Sequence, residues 1–182
     1  YVQPDELIPS GESLIRNLQI GRETARAFGA AEAWPVGYLC DMFGHIAQMP
    51  QILAGFGIGQ AVVWRGVDRE FPPLFRWQSP DGTVCDTIRL YSRFGYAEFS
   101  IYVLGLWEKA PDEASFKRNF RQYVSDVEPY FGENILLSDA LDHIMPRAEL
   151  DRIFGWIREL YPEAEIIHTD YREMRPLFHD QL

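Results

Sequence analysis

Between positions 13 and 28 the apolar residues Leu14, Ile15, Leu18, Ala25 and Phe28 recur at close to helical spacing among polar neighbours, and Gly29 suits a helix C-terminus, so the pattern predicts an amphipathic helix. The apolar run 34–40 is too short for a typical helix and contains Trp, Val and Tyr, which predicts a strand. A short helix is expected over 45–54, with Pro50 near one end, and a second strand over 60–66. Segments 75–79 and 83–91 flank Pro80-Asp81-Gly82, strong turn chemistry that predicts a hairpin. After a stretch rich in glycine and aromatic residues, Pro111 can open a long helix through Phe116, Phe120, Tyr123, Val124 and Val127, ended by Pro129 and Gly132. A strand at 134–138, a helix at 147–161, a strand at 165–168 and a helix start near Tyr171 complete the expectation. Strands alternating with helices predict an α/β fold with right-handed crossovers and parallel strands.

At 182 residues and 47% apolar content the chain can bury one sizeable core, so a single domain over 1–182 is expected. The net charge of −10 argues against nucleic acid or an anionic membrane as partner and suits a neutral or small substrate. Cys40 and Cys85 lie in apolar runs without a CxxC pattern, which predicts buried free thiols in a reducing, cytoplasmic setting. No apolar run approaches the roughly 18 residues of a membrane span, and no leader is recognisable. The chain opens on Tyr1 and reaches Pro4-Asp5-Glu6 as if leaving a strand, so a piece of a longer enzyme is expected.

Two predicted strands end in carboxylates, at Asp41 and in the turn Asp139–Asp142. In parallel α/β folds these C-terminal ends gather ligands and catalytic groups. Paired carboxylates there suit glycoside cleavage, one attacking or stabilising the anomeric carbon while the other protonates the leaving oxygen. The competing reading makes Asp41 an N-cap accepting from the Phe43 or Gly44 amide. Gly55-Phe56-Gly57-Ile58-Gly59 is not a nucleotide loop, since it follows a predicted helix and precedes a strand. The aromatic residues Trp64, Phe71, Phe75, Trp77, Tyr91, Phe94 and Tyr96 could stack on sugar, though core packing is the expected fate of most.

Asp41-Met42-Phe43-Gly44-His45 followed by Met49-Pro50-Gln51-Ile52-Leu53 resembles the nucleophile motif of glycoside hydrolase family 38, the α-mannosidases. Tyr1-Val2-Gln3-Pro4-Asp5-Glu6, Ser10 through Asn17, and Leu136 through Pro146 are similar to further segments of that family, bacterial type, so the resemblance spans nearly the whole chain. It implies a seven-stranded, barrel-like β/α fold of the glycoside hydrolase/deacetylase type, incomplete here. It further implies zinc-dependent, retaining hydrolysis of terminal α-D-mannosides, with a mannose-containing oligosaccharide or glycoside as substrate. By the same resemblance Asp41 is the nucleophile and one zinc ligand, Asp142 the acid/base and Arg65 a substrate-binding residue. The remaining zinc ligands are expected outside this chain, in the rest of the parent enzyme, so the isolated 182 residues should be inactive.

Two departures bear on Asp142: Ala140 stands where the family has glycine, and Asp139 offers a competing carboxylate. Arg65 could equally be a strand-end arginine in an ordinary ion pair. His45 is expected to buttress the Asp41 turn by hydrogen bonding, and His143 could tune the neighbouring acid. His168-Thr169-Asp170 has the spacing of a metal pair, with a helix cap as the competing reading. Two rival functions remain open. One is a non-catalytic carbohydrate-binding or structural piece in which Asp41 and Asp142 are caps. The other is a polysaccharide deacetylase, whose Asp-His-His metal set the chain does not display.

Overall fold

The computed structural model describes residues 2–32, 34–91, 94–105, 112–143 and 145–178. They fall into two compact units, Tyr1–Leu90 with Asp170–Leu182, and Tyr91–Thr169.

The first unit carries the sheet. Helix α1, Gly11–Ala27, starts where the Ser10 side chain accepts from the Ser13 amide, and the chain leaves it through Gly29 at φ +91°. Of its apolar positions only Leu14 is buried; Phe28 is exposed. Strand β1 is Val36–Leu39, helix α2 Met49–Gly55 and strand β2 Gln60–Val63, each shorter than expected. Pro50, in the first turn of α2, has no amide hydrogen to lose there, which sets the helix start. His45 and Ile46 lie outside that helix, held by hydrogen bonds from elsewhere in the chain as described below.

Strands β3, Leu74–Gln78, and β4, Val84–Arg89, form the expected hairpin, pairing Leu74 with Ile88 and Gln78 with Val84. Ser79 N–H donates to the Thr83 carbonyl at 2.8 Å, and Gly82 takes the positive φ the turn requires. The sheet order is β1-β2-β4-β3, parallel except for β3. Flanked on both edges, β2 buries Ala61, Val62 and Val63, the continuous apolar run of a central parallel strand. Leu14, Leu39, Met42, Leu53, Val63 and Cys85 form the core against it. Cys40 and Cys85 are buried and form no disulfide, as expected. The α/β expectation holds as a mixed fold with a four-stranded, mostly parallel sheet. Near the end of the chain Asp170 caps a short 3-10 turn, Tyr171–Glu173, leading into helix α3, Met174–Phe178.

The second unit is helical. A 3-10 turn at Gly95–Ala97 and a π-helical segment at Phe99–Val103 precede helix α4, Glu113–Phe131, and helix α5, Leu150–Leu160, follows. The Asp112 side chain caps α4 by accepting from Ser115 N–H at 2.8 Å, while Pro111 lies outside the described residues. Pro129 does not end the helix but sits inside its last turn, and Gly132 at φ +62° provides the stop. Phe116 stacks on Phe120, with ring centroids 5.4 Å apart, and also meets Trp156.

Neither late strand forms. Residues 134–138 run irregularly, with the Leu136 carbonyl accepting from the Tyr123 hydroxyl at 2.6 Å and the Ser138 carbonyl from Phe99 N–H at 3.3 Å. The apolar run is served by side-chain and irregular-helix partners, not by a sheet neighbour. Residues 165–168 are also irregular and mostly exposed, with no pairing strand among the described residues.

Candidate active site

Strand register alone brings Asp41 and Arg65 together. Leu39 lies opposite Val63 in the parallel β1–β2 pair, so the residues two places beyond each, Asp41 and Arg65, emerge side by side at the C-terminal ends. Arg65 Nε donates to Asp41 Oδ1 at 2.9 Å. Arg65 N–H donates to the Cys40 carbonyl at 3.2 Å, continuing the ladder one step past the strands. The guanidinium lies over the Trp64 ring, 4.1 Å from its centroid, and near Phe43 at 5.5 Å.

The Asp41 side chain is 48% exposed and that of Arg65 38%, so the pair is worth only about 0–1 kcal/mol in stability. Its consequence is orientation: one carboxylate oxygen is held, and the other takes no hydrogen bond from the described residues. The cap expectation for Asp41 is not met, since the N-cap of helix α2 is Gln48, without a side-chain hydrogen bond. Arg65 is indeed a strand-end arginine in an ion pair, and its partner is Asp41.

Beneath this pair lies a polar cluster whose carboxylate the sequence reading missed. His45 Nδ1 is 2.8 Å from Glu6 Oε1 and His45 Nε2 is 2.9 Å from the Arg65 carbonyl. Glu6 Oε2 accepts from Ile46 N–H at 3.0 Å. The Glu6 side chain is fully buried and that of His45 is 7% exposed. Burial opposes a charged imidazole, but the Glu6 hydrogen bond, the Glu6 charge and the Arg65 carbonyl outweigh it and raise the His45 pKa above 6.5. His45 thus buttresses the Asp41 turn as expected. No local spacing betrays Glu6, which lies 39 residues away; only its place in Pro4-Asp5-Glu6 marks it.

In the second unit Asp142 and His143 form an exposed turn, with His143 at φ +63°, a conformation uncommon outside glycine. Asp142 makes no hydrogen bond or ion pair with the described residues. Asp139, the competing carboxylate, is committed: its Oδ1 accepts from the Ser100 hydroxyl at 2.7 Å, and Arg147 Nε lies 3.1 Å from Oδ2. Arg147 also reaches the Ser100 hydroxyl. His168 packs edge-on against Phe154, and Asp170 accepts from Arg172 N–H at 2.8 Å as a cap, so that pair takes its structural reading. Among the aromatic residues, Trp77 meets the His45 edge, Phe71 packs on Phe75, and Tyr91 meets Tyr123 and Tyr130. No group of three His, Cys, Asp or Glu side chains able to hold a metal occurs among the described residues.

Fold and site define an α/β protein with an exposed, arginine-held carboxylate at the C-terminal end of a parallel strand. The chain belongs to the glycosyl hydrolases family 38, N-terminal domain, whose model matches residues 1–134. A protein provisionally named mannosylglycerate hydrolase from Halalkalibacterium halodurans is 24% identical over 95% of this chain and 20% of its own length. Alpha-mannosidase 2C1 of Mus musculus is 34% identical over 46% of this chain and 8% of its own. The crystal structure of an alpha-mannosidase from Enterococcus faecalis V583 superposes with a TM-score of 0.81 at 23% identity, covering 99% of this chain and 20% of that one. The chain therefore spans about a fifth of the length of the full-coverage relatives.

Proposed function

We propose that this chain is part of the catalytic α/β domain of a retaining, zinc-dependent glycosidase that hydrolyses terminal α-D-mannosides. The observation that carries the reading is the Arg65–Asp41 pair at adjoining strand ends, which holds one oxygen of an exposed carboxylate and leaves the other without a hydrogen bond from the described residues. A nucleophile needs that arrangement: fixed in direction, with a lone pair open to the anomeric carbon. Asp142, whose carboxyl no described residue engages, is assigned the proton shuttle, donating to the departing sugar oxygen and later accepting from water. Asp139 is bound to Ser100 and Arg147 and is a poor candidate for that task. Arg65, beside Asp41 at the adjoining strand end, is assigned to the substrate side of the site.

Asp41 is assigned as a zinc ligand through its exposed carboxylate. The described residues do not assemble a metal site by themselves, so the other ligands are assigned to the parent enzyme. Zinc bound there would supply Lewis-acid charge to sugar hydroxyls. The sheet is assigned to a seven-stranded β/α barrel, and a cytoplasmic setting fits two buried thiols that form no disulfide.

The test is Asp41→Ala in the full-length enzyme, assayed on an aryl α-mannoside. Loss of turnover by at least about 10³-fold, some 4 kcal/mol of barrier, is expected, together with weaker zinc retention. A structure of the parent enzyme with bound mannoside should also place the Asp41 and Asp142 carboxyls about 5–5.5 Å apart. Full activity in the variant ends the nucleophile assignment, and carboxyls that fail to converge favour the carbohydrate-binding alternative.

A further inference from the structure

We infer that Glu6 and His45 are positioning residues for the proposed nucleophile: a buried, charged pair that sets the course of the Arg65 backbone and, through its guanidinium, the direction of Asp41. The inference rests on the reading of Asp41 as nucleophile and adds two residues to it.

Both ring nitrogens of His45 face oxygen acceptors, the Glu6 carboxylate at 2.8 Å and the Arg65 carbonyl at 2.9 Å. A neutral imidazole has one N–H and satisfies only one of them, whereas the imidazolium donates to both. Glu6 is fully buried and supplies the compensating charge, while its second oxygen takes the Ile46 amide. The groups facing the ring are Glu6 from the segment before α1, the Arg65 carbonyl beyond β2 and the uncharged Trp77 ring from β3.

Arg65 is consequently fixed on three sides. Its N–H donates to Cys40, its carbonyl accepts from His45, and Gly66 after it passes so close to the Asp41 loop that a Cβ would meet the Gly44 nitrogen at 2.6 Å. Neither Glu6 nor His45 bonds Asp41 itself among the described residues. Their action on it runs through Arg65. An exposed ion pair would hold so flexible a side chain only loosely, and the buried couple beneath supplies the rigidity.

The experiment is Glu6→Gln in the full-length enzyme. The amide keeps the shape, loses the charge and turns a donor toward either the Ile46 N–H or the imidazole. Activity is read as kcat/KM against pH on 2,4-dinitrophenyl α-mannoside, whose leaving group departs without acid assistance, so the profile reports attack by the nucleophile. The expected result is a loss of roughly 10²-fold in kcat with KM little changed. The alkaline limb should move to lower pH, because the imidazolium has lost its counter-charge, and Glu6→Asp should restore part of both. A drop equal at every pH, or none, overturns the inference. A crystal structure of Glu6→Gln gives an independent reading: the Arg65–Asp41 contact should loosen, and an unmoved contact overturns the positioning role whatever the activity. If Glu6→Gln does not fold, His45→Gln takes its place: kcat should fall with KM little changed, the alkaline limb that the imidazolium causes should disappear, and the Arg65–Asp41 contact should loosen, whereas an unchanged limb or an unmoved contact overturns the inference. Asp41→Ala with full activity would sink the nucleophile reading alone, and the crystallographic arm would still decide this one.

Discussion

Gly66→Ala is the sharpest test of how tightly the loop around Asp41 is built. Gly66 sits at φ +77°, and a Cβ there would lie 2.6 Å from the Gly44 nitrogen and 2.9 Å from both Gly44 Cα and Phe43 C. Those are backbone atoms, so no rotamer change relieves the overlap; the strand-end turn and the Asp41 loop must separate. Gly29 is the internal control, with φ +91° and nothing within 4 Å of a Cβ. Alanine at Gly29 therefore costs only the backbone term, about 1–2 kcal/mol. At Gly66 the same term is joined by an overpacking cost of roughly 1–3 kcal/mol, for a total of about 2–5 kcal/mol. Urea midpoints of the two variants, compared at equal slope, measure the difference. Hydrogen exchange localises it: the amides of Arg65, bonded to Cys40, and Ile46, bonded to Glu6, should lose protection in Gly66→Ala and keep it in Gly29→Ala. If Gly66→Ala is no less stable than Gly29→Ala, the close packing of this loop is refuted.

The buried Glu6–His45 pair predicts a direction for stability against pH. His45 has a folded pKa raised above 6.5, so its contribution is fully present below 6.5 and is lost as pH rises through the folded value. Urea midpoints should fall across that alkaline window in the wild type and vary less in Glu6→Gln; a wild-type midpoint that climbs instead contradicts the linkage. Burial, against the opposing effect of the Tyr38 hydrogen bond and reinforced by the Asp41 charge, pushes the Cys40 thiol up to about 12. At neutral pH a disulfide reagent such as DTNB should therefore find neither Cys40 nor the equally buried Cys85 until the protein unfolds, when both thiols react. Rapid labelling of Cys40 in the folded protein would contradict that burial.

What the sequence made legible was local or periodic. Helix α1 carries its cap and its repeat within its own residues, and the Pro80-Asp81-Gly82 turn names its hairpin. Residues 134–138 and 165–168 failed as strands because a short apolar run has no period that separates a strand from any other buried or half-buried segment. The backbone groups at 134–138 found a tyrosine hydroxyl and an irregular helix, partners that no window of a few residues contains. The helix expected from residue 45 was shortened for a related reason. His45 and Ile46 are held by Glu6, and a turn whose polar groups are satisfied from 39 and 40 positions away gains nothing by becoming helix.

The same distinction runs through the site. Asp41 was visible because it ends an apolar run, and the parallel register explains Arg65 beside it, since the offset of 24 residues that pairs Val36 with Gln60 also pairs Asp41 with Arg65. Glu6 carries no such mark, because its place depends on the segment before α1 folding back over the loop after β1. A chain with Asp41 and Arg65 intact but without Glu6 would have a similar strand pattern, yet leave His45 with an acceptor on one side only. Its imidazole would then lose the charge that lets it grip the Arg65 carbonyl and the preceding segment together. Sequence motifs of this kind therefore identify the carboxylate more readily than the buried charge beneath it, and substitutions at Glu6 separate the carboxylate from its support experimentally.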